Sequence, residues 1–135
     1  MKTFQLKFKT LFILFLVGFA FASCSKDDGT TPDPEPKNQA PSSFDLMEVA
    51  DGADLQPQLS WEAAKDPDGD DVAYQVYLDS QNPPENPIAS NLEISSFNVE
   101  DTLHPETTYY WKVIAKDVNG NSTESDITSF TTREM

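Results

Sequence analysis

Four carboxylates fall within the six residues Asp66-Pro67-Asp68-Gly69-Asp70-Asp71. Ca²⁺ takes about six to eight oxygen ligands, many of them carboxylates and backbone carbonyls held by a turn. Asp66, Asp68 and Asp70 alternate as the early ligands of a calcium loop do, with Asp71 beside them. Pro67 and the missing distal Glu exclude an EF-hand. Asp-Pro-Asp-Gly is also turn chemistry, in which the Asp side chains cap backbone N–H groups. Because nearness in sequence does not assemble a coordination sphere, the turn is the preferred reading. The expectation is no cofactor, with Ca²⁺ at Asp66, Asp68, Asp70 and Asp71 as the one candidate.

Catalytic chemistry has less to work with. The chain holds one thiol, Cys24, and one imidazole, His104. A Ser–His pair would need His104 beside a hydroxyl in a pocket, and Leu103-His104-Pro105-Glu106 is turn-like sequence instead. Paired carboxylates are numerous, but none is attached to an identifiable pocket, so glycoside hydrolysis has no support. No catalytic residue is assigned, and an enzyme is not expected. With a single cysteine there is no internal disulfide, so an apolar core must hold the domain together.

The elements able to position side chains are strands. Phe44, Leu46 and Val49 suggest a first. Leu55, Pro57, Leu59 and Trp61 alternate with polar residues and suggest a second. Val72 to Asp79 reads as a third, with Tyr74, Val76 and Leu78 facing one way and Gln75, Tyr77 and Asp79 the other. Ile88 marks a short fourth, and Ile94 to Val99 a fifth. Thr107 to Lys116 is the longest, with Tyr109, Trp111, Val113 and Ala115 inward and Tyr110, Lys112 and Ile114 outward. Ile127 to Thr132 closes the set through Phe130. Between these runs stand DGAD, KDPDGDD, NPPENP, DTLHPE and DVNGNS, all rich in turn formers. No segment has a 3.6-residue apolar period. Seven short alternating strands without helices predict an all-β, antiparallel Greek-key sandwich.

Leu103-His104-Pro105-Glu106-Thr107-Thr108-Tyr109-Tyr110-Trp111-Lys112-Val113-Ile114-Ala115 resembles the L-x-P-x-T-x-Y-x-x-x-V-x-A signature of fibronectin type III domains. The resemblance spans residues 41 to 132 as a pattern, and its strong motif is residues 103 to 115. It implies an immunoglobulin-like sandwich in which Leu103 plugs the core and the Tyr109 hydroxyl returns to backbone. Trp61 then falls on the second strand's tryptophan position and, with Trp111, belongs to the core. The third and sixth predicted strands are neighbours in that fold, which puts Tyr77 and Tyr110 on one outer face with Lys112 and Ile114. Aromatic rings among polar neighbours suit a sugar ring or a protein partner. Cross-strand packing of two surface tyrosines is the simpler alternative.

The N-terminal residues carry an address rather than a site. Lys2, Lys7 and Lys9 precede the apolar run TLFILFLVGFAFA, which is too short to span a bilayer, where about 20 apolar residues are needed. Ala22 and Ser23 then stand before Cys24. This resembles the lipobox of bacterial lipoproteins, which implies cleavage before residue 24 and acylation of Cys24. Ser25-Lys26-Asp27-Asp28 is similar to the export signal that sends Bacteroidetes-type lipoproteins to the outer face of the outer membrane. Thr30 to Pro41 (TTPDPEPKNQAP) is Pro-rich and holds no apolar residue larger than Ala, so it reads as a semi-rigid extended spacer.

The predicted organisation is therefore a signal peptide (1–23), a lipidated Cys with an acidic Pro-rich tether (24–40), and one sandwich domain (41–135). The formal charge is −14, and cleavage would remove three lysines and leave −17. So acidic a chain repels phosphate, and nucleic-acid binding is excluded. A monomeric, surface-displayed interaction or spacer module is the leading expectation, with the N-terminal lipid in the membrane and a glycan or an envelope protein as partner. An accessory glycan-binding lipoprotein of a polysaccharide-uptake system, using Tyr77 and Tyr110, is the second. A calcium-dependent adhesion module is the third.

Overall fold

Strict period-two alternation makes the two longest strands and fixes which way they face. β2 (Val72–Asp79) buries Tyr74, Val76 and Leu78, and β5 (Thr108–Asp117) buries Tyr109, Trp111, Val113 and Ala115. They pair antiparallel over the whole length of β2, from Val72 opposite Asp117 to Asp79 opposite Tyr110. A one-residue slip would turn both apolar rows to water, which is what holds the register.

The computed structural model describes residues 37–135. Cys24, Ser25, Lys26, Asp27, Asp28 and the predicted signal peptide lie outside the described residues. In the described part the strands are β1 (Gln58–Ser60), β2, β3 (Pro87–Leu92), β4 (Ser96–Asn98), β5, β6 (Ser122–Glu124) and β7 (Thr128–Thr131). The large sheet runs β3-β2-β5-β6, with β7 also paired to β5, and the small sheet is β1-β4. The chain crosses between sheets after β1, β3 and β4, as in a Greek-key sandwich. All the strand pairs are antiparallel.

The core lies between the sheets. Leu59 and Trp61 meet Val76, Trp111, Val113 and Phe130, all at most 2 % exposed. Each such side chain contributes roughly 1.5–3 kcal/mol by leaving water. Both tryptophans are core, as expected, and the indole N–H of each has no partner among the described residues. Tyr74 sits edge-on to Trp61 at 5.4 Å and to Phe44 at 6.0 Å between ring centres.

The seven strands are not all the seven expected. The run at Phe44, Leu46 and Val49 forms only a bridge from Leu46 to Trp61. Phe44 is buried nonetheless, so its apolar side chain is used without a ladder. The expected last strand, Ile127 to Thr132, is β7, and the seventh strand is instead β6, which starts at the end of the expected DVNGNS turn and also pairs with β5. Between them the Ser125 hydroxyl accepts the Val113 N–H at 3.0 Å, a bond that stands in for one rung of the ladder. Ile94, placed at the start of the fifth predicted strand, is 64 % exposed and precedes β4. Pro57 precedes β1 and contributes only its carbonyl, which accepts from Val99 N–H at 3.0 Å.

The tyrosine corner is present. The Tyr109 hydroxyl accepts the His104 N–H at 3.1 Å, while Leu103 packs against the core. The His104 carbonyl accepts the Thr132 hydroxyl at 2.6 Å. The backbone of His104 thus ties the turn before β5 to the end of the chain, and its ring is left at the surface.

Candidate functional site

The register places Gln75, Tyr77 and Asp79 opposite Ile114, Lys112 and Tyr110. Tyr77 and Tyr110 therefore share the outer face of the large sheet as diagonal neighbours, with Lys112 and Ile114 between and beside them, all half-buried. The structure brings the four together, but it also gives Lys112 a task. Its Nζ lies 5.2 Å from the centre of the Tyr77 ring and 2.9 Å from Glu124 Oε1. One face of Tyr77 is thus occupied by an ammonium, whereas Tyr110 takes part in no such contact among the described residues. Asp79, at the end of this face, accepts from Asn86 Nδ2 and from the Gln81 N–H, both at 3.1 Å. The Asn86 bond is the largest influence holding its carboxyl below the ordinary value of 3.8.

The carboxylates of the 66–71 loop do not converge. Asp66 Oδ1 accepts the N–H of Asp68 at 2.9 Å and of Asp70 at 3.3 Å, an Asx turn closed by Gly69 N–H donating to the Asp66 carbonyl. Asp68 Oδ2 accepts from the Gln39 N–H at 2.6 Å, and Asp70 Oδ2 accepts from Asn119 Nδ2 at 2.7 Å. Asp71 is exposed. Among the described residues no group of three or more His, Cys, Asp or Glu side chains is arranged to hold a metal ion. Asp66 Oδ2 is buried without a hydrogen-bond partner among the described residues.

The Asp117 cluster escaped the sequence reading. At the end of β5 the Asp117 carboxylate is 7 % exposed and takes four hydrogen bonds. Oδ1 accepts from the N–H groups of Asn119 (2.8 Å) and Asn121 (2.9 Å). Oδ2 accepts from Nδ2 of Asn38 (2.7 Å) and of Asn121 (2.8 Å). Burial pushes this carboxyl up. The Asn121, Asn119 and Asn38 bonds outweigh it, and the net shift is downward. The signal in the sequence was D-x-N-G-N, which promises an Asx turn, but nothing there announced Asn38, 79 residues away.

Asn38 belongs to a wider attachment. Ser42 N–H donates to the Lys65 carbonyl at 2.8 Å, the Ser42 hydroxyl accepts the Lys65 N–H at 3.1 Å, and the Thr123 hydroxyl donates to the Pro41 carbonyl. With the Gln39–Asp68 bond, this ties residues 38–42 to the pole of the sandwich that carries the 66–71 and 117–121 loops. Among the described residues, Asn38 is the first that hydrogen-bonds to the domain, and it lies inside the stretch read as tether (24–40).

Two antiparallel sheets, a shared core and a tyrosine corner define an immunoglobulin-like β-sandwich of the fibronectin type III kind. The chain belongs to the family described as Rha78A-like, N-terminal immunoglobulin domain, which matches residues 46–134. No curated protein matches the sequence. A solved Fn3-like protein from Clostridium thermocellum is 26 % identical with a TM-score of 0.53, and the match covers 72 % of this chain and 98 % of that one. A beta-1,2-glucanase from Parabacteroides distasonis is 24 % identical with a TM-score of 0.55, covering 74 % of this chain and 14 % of the glucanase. An alpha-L-rhamnosidase from Dictyoglumus thermophilum is 22 % identical with a TM-score of 0.55, covering 73 % of this chain and 13 % of that enzyme.

Proposed function

We propose that this chain is a lipid-anchored, non-catalytic module displayed at the outer surface of a bacterial outer membrane, where it works as an interaction or spacer unit. The observation that carries the reading is the attachment of residues 38–42 to one pole of the sandwich. A lipid on Cys24 would hold the start of a Pro-rich spacer at the membrane, and these bonds would fix how its far end enters the domain. The non-catalytic part rests on the one imidazole: His104 acts through its backbone in the tyrosine corner. The glucanase and rhamnosidase matches agree, since a sandwich like this one makes up only 14 % and 13 % of those enzymes.

Two measurements on intact cells test it. Labelled palmitate should enter the wild-type chain and not a Cys24→Ala variant, and external protease should remove the domain without lysis. Label retained in the variant, or a domain protected until the cells are broken, would overturn the anchoring and the surface display respectively. Glycan binding is the second reading, favoured by the shared outer face of Tyr77 and Tyr110.

A further inference from the structure

The outer face of the large sheet is not flat. Beside β3 it opens into a cavity of about 680 Å³ lined by Asp71, Ala73, Asn91, Glu93 and Lys116 among others. A smaller hollow of about 140 Å³ shares Ala73, Asn91 and Lys116 and adds Gln75. Together they make one groove along the outer side of β2, leading from Ala73 past Gln75 towards Tyr77. Its origin is a break in pairing. β3 shifts register against β2 between Tyr74 and Val76 and again between Val76 and Tyr77, and Asn91 takes the left-handed region at φ 57°. A bulge of this kind bends an edge strand out of its ladder and re-aims side chains. Asn is among the few residues that accept such a φ cheaply. Ala73 lines both hollows with Asn91, and its small side chain leaves the groove a floor.

The lining selects among ligands. Asp71 and Glu93 accept hydrogen bonds, Lys116 donates, and the amides of Asn91 and Gln75 can do both. Lys116 Nζ already donates to Gln75 Oε1 at 3.2 Å, which holds both at the rim. An apolar ligand would leave these groups unpaired. An anion would meet three carboxylates, Asp71, Glu93 and Asp117, on a chain of formal charge −14. Donors and acceptors mixed around a small floor fit a neutral ligand dense in hydroxyls, each of which donates and accepts at once.

We propose that the Ala73–Asn91–Lys116 groove binds a neutral oligosaccharide, a proposal that rests on the interaction-module reading and names its ligand class. Tyr77 lies next in line on the same face, so a sugar chain leaving the groove would run towards it.

The test is native electrophoresis of the full-length chain in mild detergent through gels containing a neutral β-glucan, a neutral mannan, or polygalacturonate as the anionic control. At least one neutral polysaccharide should retard the wild type, and polygalacturonate should not. Ala73→Trp, which fills the groove, should weaken binding about tenfold or more. Asp71→Ala with Glu93→Ala changes only exposed side chains and should weaken it about three- to tenfold with an unchanged melting temperature. Tyr110→Ala should leave it within about twofold, as Tyr110 lies on the far side of Tyr77 from the groove. Overturning results are no retardation by either neutral polymer, retardation untouched by the groove variants, or loss confined to Tyr110→Ala. None of these bears on palmitate labelling or protease access, so the anchoring reading stands or falls separately.

Discussion

The Lys112 ammonium lies 5.2 Å from the centre of the Tyr77 ring while bonded to Glu124 Oε1 at 2.9 Å. The Lys112 side chain is only 15 % exposed, against 49 % for Glu124, so the contact with the ring is the better shielded from water. A cation over an aromatic face contributes about 0.5–1 kcal/mol at such sites, and a surface ion pair about 0.2–1 kcal/mol. Lys112→Met should therefore cost about 1 kcal/mol in urea unfolding, and Glu124→Gln less than half of that. A double-mutant cycle of Lys112→Met with Tyr77→Leu should return about 0.5 kcal/mol of coupling. Zero coupling would mean that the lysine passes over the ring without holding it.

Two tyrosine hydroxyls each hold a backbone N–H, and their surroundings rank them. The Tyr74 hydroxyl accepts the Ala64 N–H at 2.9 Å in a buried position, and the Tyr109 hydroxyl accepts the His104 N–H at 3.1 Å in a partly buried one. Deleting either oxygen leaves a donor without its partner, which costs about 1–3 kcal/mol when water cannot reach it and nearer 1 kcal/mol when it can. Tyr74→Phe should therefore destabilise more than Tyr109→Phe. At about 4–8 °C per kcal/mol for a domain of this size, thermal melts should separate the two. The reverse order would show that the corner at Tyr109 carries more than one hydrogen bond.

The sequence exposed the long strands and hid the attachments. VAYQVYLD and TTYYWKVIAK alternate without a break, so β2, β5 and their inner rows were readable, as was the corner from Leu103, Pro105, Thr107 and Tyr109. Phe44 and Leu46 alternate equally well, yet Phe44 is buried and Leu46 partly buried with a single bridge and no ladder. Burial writes a pattern into sequence, and backbone pairing by itself does not. The outer face was legible as a parity rule for Tyr77, Tyr110, Lys112 and Ile114. The groove beside it was not, because a register shift in β3 leaves only Asn91 as its mark. For the same reason the aspartates of 66–71 read equally as ligands or as caps until the positions of Gln39 and Asn119 were known.

Left-handed backbone at Glu106 (φ 48°) predicts a gain from mutation. Such a conformation costs a side chain with a Cβ roughly 1 kcal/mol, and less for Asn. Glu106→Asn should raise the urea midpoint by the equivalent of about 0.5–1 kcal/mol, provided the Glu106 N–H keeps its bond to the Arg133 carbonyl. Gly69, at φ 86°, gives the opposite case. A Cβ there meets nothing within 4 Å, so the cost of Gly69→Ala, about 1 kcal/mol, would come from the backbone alone. If Gly69→Ala proves neutral, the 66–71 turn relaxes to another shape.

Acid should loosen the attachment of Asn38 to the sandwich. The carboxyl of Asp117 ionises below its ordinary value of 3.8: burial raises it, and the bonds from Asn121, Asn119 and Asn38 lower it further than burial raises it. For a group whose folded pKa is depressed, the stabilisation is fully present above the unfolded value and is lost as pH falls through the folded one. Asp117→Asn keeps an oxygen for the N–H groups of Asn119 and Asn121, but turns an amide towards the amides of Asn38 and Asn121. The variant should be the less stable at pH 6, and its deficit should start to shrink only below about pH 4, as the wild-type carboxylate takes up its proton. Asp79, also depressed, is common to both chains and cancels in the difference. Proteolysis within residues 37–42 should follow the same curve, faster in Asp117→Asn at neutral pH and alike in both chains in acid. A stability gap that stays constant from pH 6 to pH 2 would show that shape, and not charge, joins Asn38 to the domain.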